Sequence, residues 1–263
     1  MSDPLFSVAD QVVLVSGGSR GIGRELAAGF AARDAQVFIA GREADTLEAT
    51  AGEISTGRYP VGTIVCDVAQ TADVADMVQT VVSRAGRLDG LLNVAGVNKR
   101  KRVETYTPEE YDFIVDINSR GAFFVAQHAG RQFIAQGTGG WITSIDSLNT
   151  ASPLRGVLPY AMSKGGLSMM TRGMANEWGR HKIRVNGIAP GFILTDLSQK
   201  VWADPNMQAW NAANAPLGRL GQTEDLVGTA IFLASPGAAF LTGQTIYVDG
   251  GFTAGLNWPI PLE

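Results

Sequence analysis

Short apolar runs alternate with longer amphipathic segments along the whole chain. The apolar runs are Val12–Ser16, Gln36–Ala40, Val61–Cys66, Gly90–Val94, Gly140–Ile145, Arg184–Ala189 and Thr245–Val248. They are apolar throughout rather than at every second residue, which predicts strands buried on both faces. Between them, segments near residues 21–33, 43–56, 71–86, 108–136, 158–180 and 223–234 have the length and periodicity of helices. Strands alternating with helices of this length predict a doubly wound α/β domain, a seven-stranded parallel sheet with helices on both faces.

Local signals set some of the boundaries. Thr107-Pro108-Glu109-Glu110 reads as a capping box with proline at the first helical position, so a long helix starts there and runs to 136. Thr223-Glu224-Asp225 starts the last helix. Leu226 to Val248 carries no charge and is long enough for a bilayer, but Ser235-Pro236-Gly237 breaks it into a helix, a turn and a strand. No linker or repeat interrupts the alternation, and a single domain over residues 1–263 is expected. Its irregular stretch, 195–221, contains Pro205, Pro216, Leu197, Val201, Trp202, Met207 and Trp210 and reads as a substrate lid. The tail, 250–263, is apolar enough to belong at a subunit interface.

Composition removes several functions. The chain has 45% hydrophobic and 17% charged residues and a net charge of −4, which excludes disorder and leaves no basic field for nucleic acid. One cysteine, Cys66, rules out an intrachain disulfide, and with only His128 and His181 as histidines no metal site is predicted. No basic segment precedes an apolar run near the start, so a cytoplasmic location is expected. Glycine is the outlier, at 32 of 263 residues or about 12%, where about 7% is usual. The backbone must turn tightly or approach something closely at many points.

The first of these points follows the first strand. Ser16-Gly17-Gly18-Ser19-Arg20-Gly21-Ile22-Gly23 leads directly into a helix. Glycines at 17, 21 and 23 let the backbone reach a pyrophosphate, whose charge then meets the helix N-terminus. A second pattern carries reaction chemistry. Lys164 stands one helical turn after Tyr160, where its ammonium favours the phenolate and lowers a pKa that is ordinarily about 10. Ser147, thirteen residues before Tyr160, offers a hydroxyl to a substrate oxygen as charge develops on it.

The spacing Gly-x-x-x-Gly-x-Gly resembles that of the short-chain dehydrogenase/reductase family, and further motifs agree in order and spacing over nearly the whole chain. They are Asp67-Val68 after the third strand, Asn93-Val94-Ala95-Gly96 after the fourth, Asn118, Ser147, Tyr160-Ala-Met-Ser-Lys164, and Pro190-Gly191 with Thr195 beyond. The resemblance implies a Rossmann-type fold, a homotetramer built as a dimer of dimers, and an oxidoreductase that moves a hydride between nicotinamide and a carbonyl or secondary alcohol. It assigns Tyr160 as general acid/base and Asn118 as holder of a water in a proton relay to Lys164, which also bonds the nicotinamide ribose. Gly17, Ser19, Arg20, Gly21, Ile22 and Gly23 take the phosphates, and Asp67 and Val68 the adenine. Asn93, Ala95 and Gly96 form the wall beneath the riboses, and Pro190, Gly191, Ile193 and Thr195 contact the nicotinamide. Val94 stands where a second asparagine is common in the family, a mild departure.

Cofactor choice is read after the second strand. An acidic residue there would bind a ribose 2′-hydroxyl, but this chain has Gly41 followed by Arg42. Arg42, with Arg20, suits a 2′-phosphate and predicts NADP(H) over NAD(H), the bland alternative being two solvated charges. The substrate is less legible. Lys99-Arg100-Lys101-Arg102 is the densest charge run, ordinarily a solvated face, yet it lies at the carboxyl edge of the sheet where ligands bind. Lys99, Leu148, Asn149, Leu154 and Trp202 are candidate pocket residues, with Trp202 equally suited to packing the lid. The Asn98-Lys99-Arg100-Lys101 stretch and the Gly255-Leu256-Asn257-Trp258-Pro259 tail have a sugar-acid dehydrogenase flavour, giving a polyol, a sugar acid or a cyclic ketone as the expected substrate. Competing readings are a 3-oxoacyl thioester reductase, an epimerase or dehydratase using transient hydride transfer, and a nucleotide-binding regulator without catalysis.

Overall fold

Seven strands form one sheet in the computed structural model, which describes residues 3–196 and 198–255. They are β1 (Val12–Ser16), β2 (Gln36–Gly41), β3 (Gly62–Val65), β4 (Gly90–Asn93), β5 (Gly140–Ile145), β6 (Ile183–Pro190) and β7 (Thr245–Val248). The order is β3-β2-β1-β4-β5-β6-β7 and every pairing is parallel. Parallel neighbours need crossovers, and helices provide them: α1 (Gly21–Ala31), α2 (Ala44–Ile54), α3 (Thr71–Ala85), α4 (Pro108–Val115), α5 (Ala122–Gln136) and α6 (Leu158–Trp178). The chain winds outward from β1 to β3 and returns beside β1 as β4. That reversal opens a crevice at the carboxyl ends of β1 and β4, where doubly wound sheets bind ligands.

Two cores sandwich the sheet. On one face Leu26 and Phe30 of α1 pack with Val37, Ile39, Trp141 and Ile231. On the other, Val74 and Met77 of α3 meet Val125, Ala129 and Phe133 of α5 and Met174 of α6. Every residue of β1 is buried, as its unbroken apolar run requires. Cys66 is buried and unpaired, and burial pushes its thiol up to about 12, so it is inert.

Three expectations are corrected. The helix read as continuous over 108–136 is interrupted: after α4 the chain makes a π-helical turn, Asp116–Gly121, before α5 begins. Apolar spacing registers the face a helix buries and is blind to a local change in hydrogen-bond ring size. Gly121 lets this turn pass close to the loop after β3, where a Cβ would come within 2.7 Å of the Val68 carbonyl oxygen. The capping box at Thr107 and Glu110 stands as read. The last helix starts differently: Gln222, not Thr223, is the cap of a 3₁₀ turn at Thr223–Leu226. The lid stretch forms two helices of its own, α7 (Gln199–Trp202) and α8 (Pro205–Asn214), before α9 (Val227–Ala234). Residues 256–263 of the expected interface tail lie outside the described residues. Among the described residues no helix is long and apolar enough to cross a membrane.

Phe30 is fully buried and its ring lies 5.7 Å from that of Trp141. Phe30→Ala is expected to cost about 3–5 kcal/mol, read as a lowered urea midpoint. A midpoint within error of the parent would contradict this account of the core.

Candidate active site

Strand register brings the site together. Ser16, Asn93, Ser144, Gly187 and Thr245 are register partners across β1, β4, β5, β6 and β7, so the ends of β1 and β4 lie level with the interior of β6 and the start of β7. At the β1 end, Gly17 has φ +70, and a Cβ there would stand 2.8 Å from the backbone nitrogen of Ala95. A Cβ on Gly23 would run into the Gly17 carbonyl. The turn therefore lies directly on the loop after β4. Arg20, the N-cap of α1, makes no side-chain capping bond, so the helix presents unoccupied N–H groups of the kind that hold an anion. This glycine-lined cradle fits a dinucleotide pyrophosphate.

The neighbouring positions close around the same turn. Gly41 ends β2, and a Cβ there would lie 3.4 Å from Ser19 Oγ; Gly21 would similarly face the Thr195 methyl at 3.8 Å. Arg42 is exposed beside the turn, whereas Arg20 donates to Glu43 at 3.1 Å. The Asp67 carboxylate accepts from the Ala69 N–H, fixing the loop that contains Val68. Asn93 is buried and committed: it accepts from Ser16 Oγ at 3.0 Å and donates to the Ala122 carbonyl at 2.8 Å. Its place is to lock β1 to β4 beneath Ala95 and Gly96. Pro190 ends β6, Gly191 follows it against Asp249, and buried Ile193 bridges to Gly221.

Four polar side chains meet beyond β4 and β5. Lys164, 4% exposed, donates from Nζ to the Ile145 carbonyl at 2.6 Å, and the same nitrogen lies 5.7 Å from the centre of the Tyr160 ring. Ser147 Oγ stands near enough to Tyr160 to lower its phenol and accepts from both the backbone and the side chain of Asn149. Asn118 sits in the π-helical turn; its amide pairs with both backbone groups of Val97 at 2.8 Å and donates to Ser163 Oγ. Between Asn118 and Lys164 stands Gly96, where a Cβ would be 3.4 Å from Asn118 Oδ1 and 3.6 Å from Lys164 Nζ. Glycine keeps a side chain out of the space between the two.

Comparison with known proteins is consistent along the full length. A family profile described as enoyl-(acyl carrier protein) reductase matches residues 17–253. A gluconate 5-dehydrogenase of Gluconobacter oxydans is 37% identical over 257 residues, covering 97% of this chain and 100% of that one. A 5-keto-D-gluconate 5-reductase of Escherichia coli K12 is 31% identical, covering 94% of this chain and 97% of that one. The crystal structure of a gluconate 5-dehydrogenase from Burkholderia cenocepacia, in complex with NADP and tartrate, superposes with a TM-score of 0.92 at 34% identity. It covers 96% of this chain and 99% of that one. The chain belongs to the short-chain dehydrogenase/reductase family.

In this short-chain dehydrogenase/reductase the rim of the site differs from a free cationic surface. Glu110 binds Lys101 at 2.6 Å and Lys99 at 3.5 Å while its carboxylate also closes the cap of α4. The bond from Lys101 and the Thr107 N–H hold the Glu110 carboxyl down at about 2. Lys99 also lies over the Phe113 ring. Leu148 and Asn149 are buried behind Ser147, and the Leu154 N–H donates to Asn149 Oδ1. Trp202 is buried on Phe192 at 5.1 Å, and Phe192 also touches Trp210 and Phe252, so these aromatics pin the lid to the segment after β7.

The electrostatics correct one expectation. Lys164 was expected to lower the Tyr160 phenol; burial instead raises it, with the Ser147 hydrogen bond opposing. Burial also brings the Lys164 ammonium down to about 8. A group absent from the sequence reading contributes to both: Asp146, buried between Ile145 and Ser147, whose carboxyl burial pushes up to about 6. A charged residue directly after an apolar strand run was the available signal.

Asp146 carries a pH signature. Between its ordinary value of 3.8 and about 6 the folded protein keeps a proton that the unfolded chain has lost. Its contribution to stability therefore falls as pH rises through that window. The Lys164 contribution slopes the other way above about 8. Relative to the parent, the melting temperature of Asp146→Asn is expected to rise from about pH 4 to about pH 6. A pH-independent difference would refute this.

Proposed function

We propose that this enzyme is an NADP(H)-dependent oxidoreductase acting on a sugar acid or its keto form, with Tyr160 as general acid and base. The observation that carries the reading is the convergence of Asn118, Ser147, Tyr160 and Lys164 beside the glycine cradle, in a chain whose relatives are gluconate dehydrogenases and ketogluconate reductases. In reduction, Tyr160 gives its proton to the substrate oxygen while the Ser147 hydroxyl, oriented by Asn149, bonds that oxygen. Lys164 stabilises the resulting phenolate, and a water between Asn118 and Lys164 returns the proton. When bound, the nicotinamide supplies the hydride, or accepts it in oxidation.

Arg42 beside Gly41 supports the 2′-phosphate, as does NADP in the Burkholderia structure. Arg20 shares its charge with Glu43, which leaves Arg42 the stronger ligand. Lys99, held by a long bond to Glu110 and by the face of the Phe113 ring, keeps donors to offer a substrate carboxylate. The exposed apolar side chains of α5 and α6, among them Phe123, Met162 and Met169, support a homotetramer.

Tyr160→Phe is expected to lower turnover of 5-ketogluconate by about 10²–10⁴-fold with NADPH binding retained. Near-normal turnover would refute the acid/base assignment. Arg42→Gln is expected to reduce kcat/KM for NADPH by at least about tenfold and to leave NADH unaffected. Equal losses for both, or a parent enzyme that prefers NADH, would overturn the cofactor reading. Higher kcat/KM for neutral ketones or acetoacetyl thioesters than for sugar acids would overturn the substrate.

A further inference from the structure

Asp146 is the buried titratable group that the mechanism above leaves without a task. It is 2% exposed, and the fold has been hollowed to receive it. On β6, a Cβ at Gly187 would come within 2.5 Å of Asp146 Oδ2, so glycine is what leaves the carboxylate its place. On β7, Thr245 Oγ1 donates to Oδ2 at 3.0 Å, and that hydroxyl lies 3.3 Å from Ser168 Oγ on α6, one turn beyond Lys164. The second oxygen, Oδ1, has no hydrogen-bond partner. A carboxylate kept only for the fold would have both oxygens bonded, because a buried unsatisfied acceptor costs about 1–3 kcal/mol.

We propose that Asp146 is a positioning residue of the Tyr160–Lys164 pair, a buried carboxylate set between Ile145, whose carbonyl holds Lys164, and Ser147, and acting on the acid/base through its charge. The surroundings support this. The elements packed around Asp146 supply few charges: β6 contributes Asn186 and Gly187, with Arg184 turned to the Leu233 carbonyl, and β7 contributes Thr245 and Tyr247, whose hydroxyl is bonded to Thr150. On α6, Arg172 and Glu177 are exposed, leaving Tyr160 and Lys164 as the titratable groups that face inward. The negative charge raises the proton affinity of both. It keeps Lys164 charged against burial, and it makes Tyr160 a weaker acid. The direct effect on Tyr160 delays loss of the proton that must leave before an alcohol can be oxidised, so through Tyr160 the residue favours the protonated, reducing form of the site.

This inference rests on Tyr160 as the acid/base, and the experiment separates the two. The pH profile of kcat/KM for gluconate oxidation, which reports the free enzyme, is recorded for the parent, Tyr160→Phe and Asp146→Asn. Asparagine keeps the shape and the bond to Thr245 while removing the charge. The acidic limb of Asp146→Asn is expected to move to lower pH by about one pH unit, a displacement that a purely structural role would not produce. An inactive Tyr160→Phe with an Asp146→Asn limb on top of the parent's overturns this inference and leaves the acid/base reading standing. An active Tyr160→Phe overturns that reading, and this one with it. Should Asp146→Asn not fold, Asp146→Ser carries the same expectation. Failure of both to fold counts against the proposal, because the carboxylate would then serve the fold.

Discussion

At neutral pH Lys164 holds a buried ammonium, and a backbone carbonyl answers it. A buried charge without a partner is among the most expensive features a fold can contain, so the 2.6 Å bond from Nζ to the Ile145 carbonyl ties α6 to the end of β5. Both sides of the site follow from it. Tyr160 stands one turn before Lys164 on the helix, and Ser147 follows Ile145 at the strand end. Their mutual orientation is fixed by the same docking that keeps the ammonium satisfied. The sheet register supplies the rest, since Ser16, Asn93, Ser144, Gly187 and Thr245 lie in one row.

The glycines serve this arrangement in two separate ways. Gly17 and Gly23 let the turn after β1 lie on the loop after β4, which makes a glycine-lined cradle. Gly96 and Gly187 remove side chains instead: one opens the gap between Asn118 and Lys164, and the other leaves space for the Asp146 carboxylate. The first pair creates a backbone surface and the second creates interior room. A glycine-rich composition is thus the trace of two constraints that no single motif contains.

Much of this was legible in the sequence, for identifiable reasons. Strands buried on both faces write long apolar runs, so the sheet and its parallel sense could be read directly, and fixed spacing placed Ser147, Tyr160 and Lys164. The π-helical turn around Asn118 could not be read, because it preserves the apolar face while changing the backbone hydrogen bonds. The Glu110 partners of Lys99 and Lys101 were hidden too, since the ion pairs join a loop to a helix whose relative approach is a tertiary fact. Asp146 was visible as a charge at the end of an apolar run, but its meaning rests on Thr245 and Gly187, both distant in the chain.

Glu110 joins two parts of the molecule that are usually independent. Its carboxylate accepts from the Thr107 N–H at the start of α4 and from ammonium groups on the rim of the site. The charge presented to an incoming anion and the winding of the first turn of α4 therefore draw on the same two oxygens. Holding Lys99 and Lys101 and closing the cap are thus one electrostatic arrangement, centred on Glu110 and placed on the helix that leads into the turn holding Asn118.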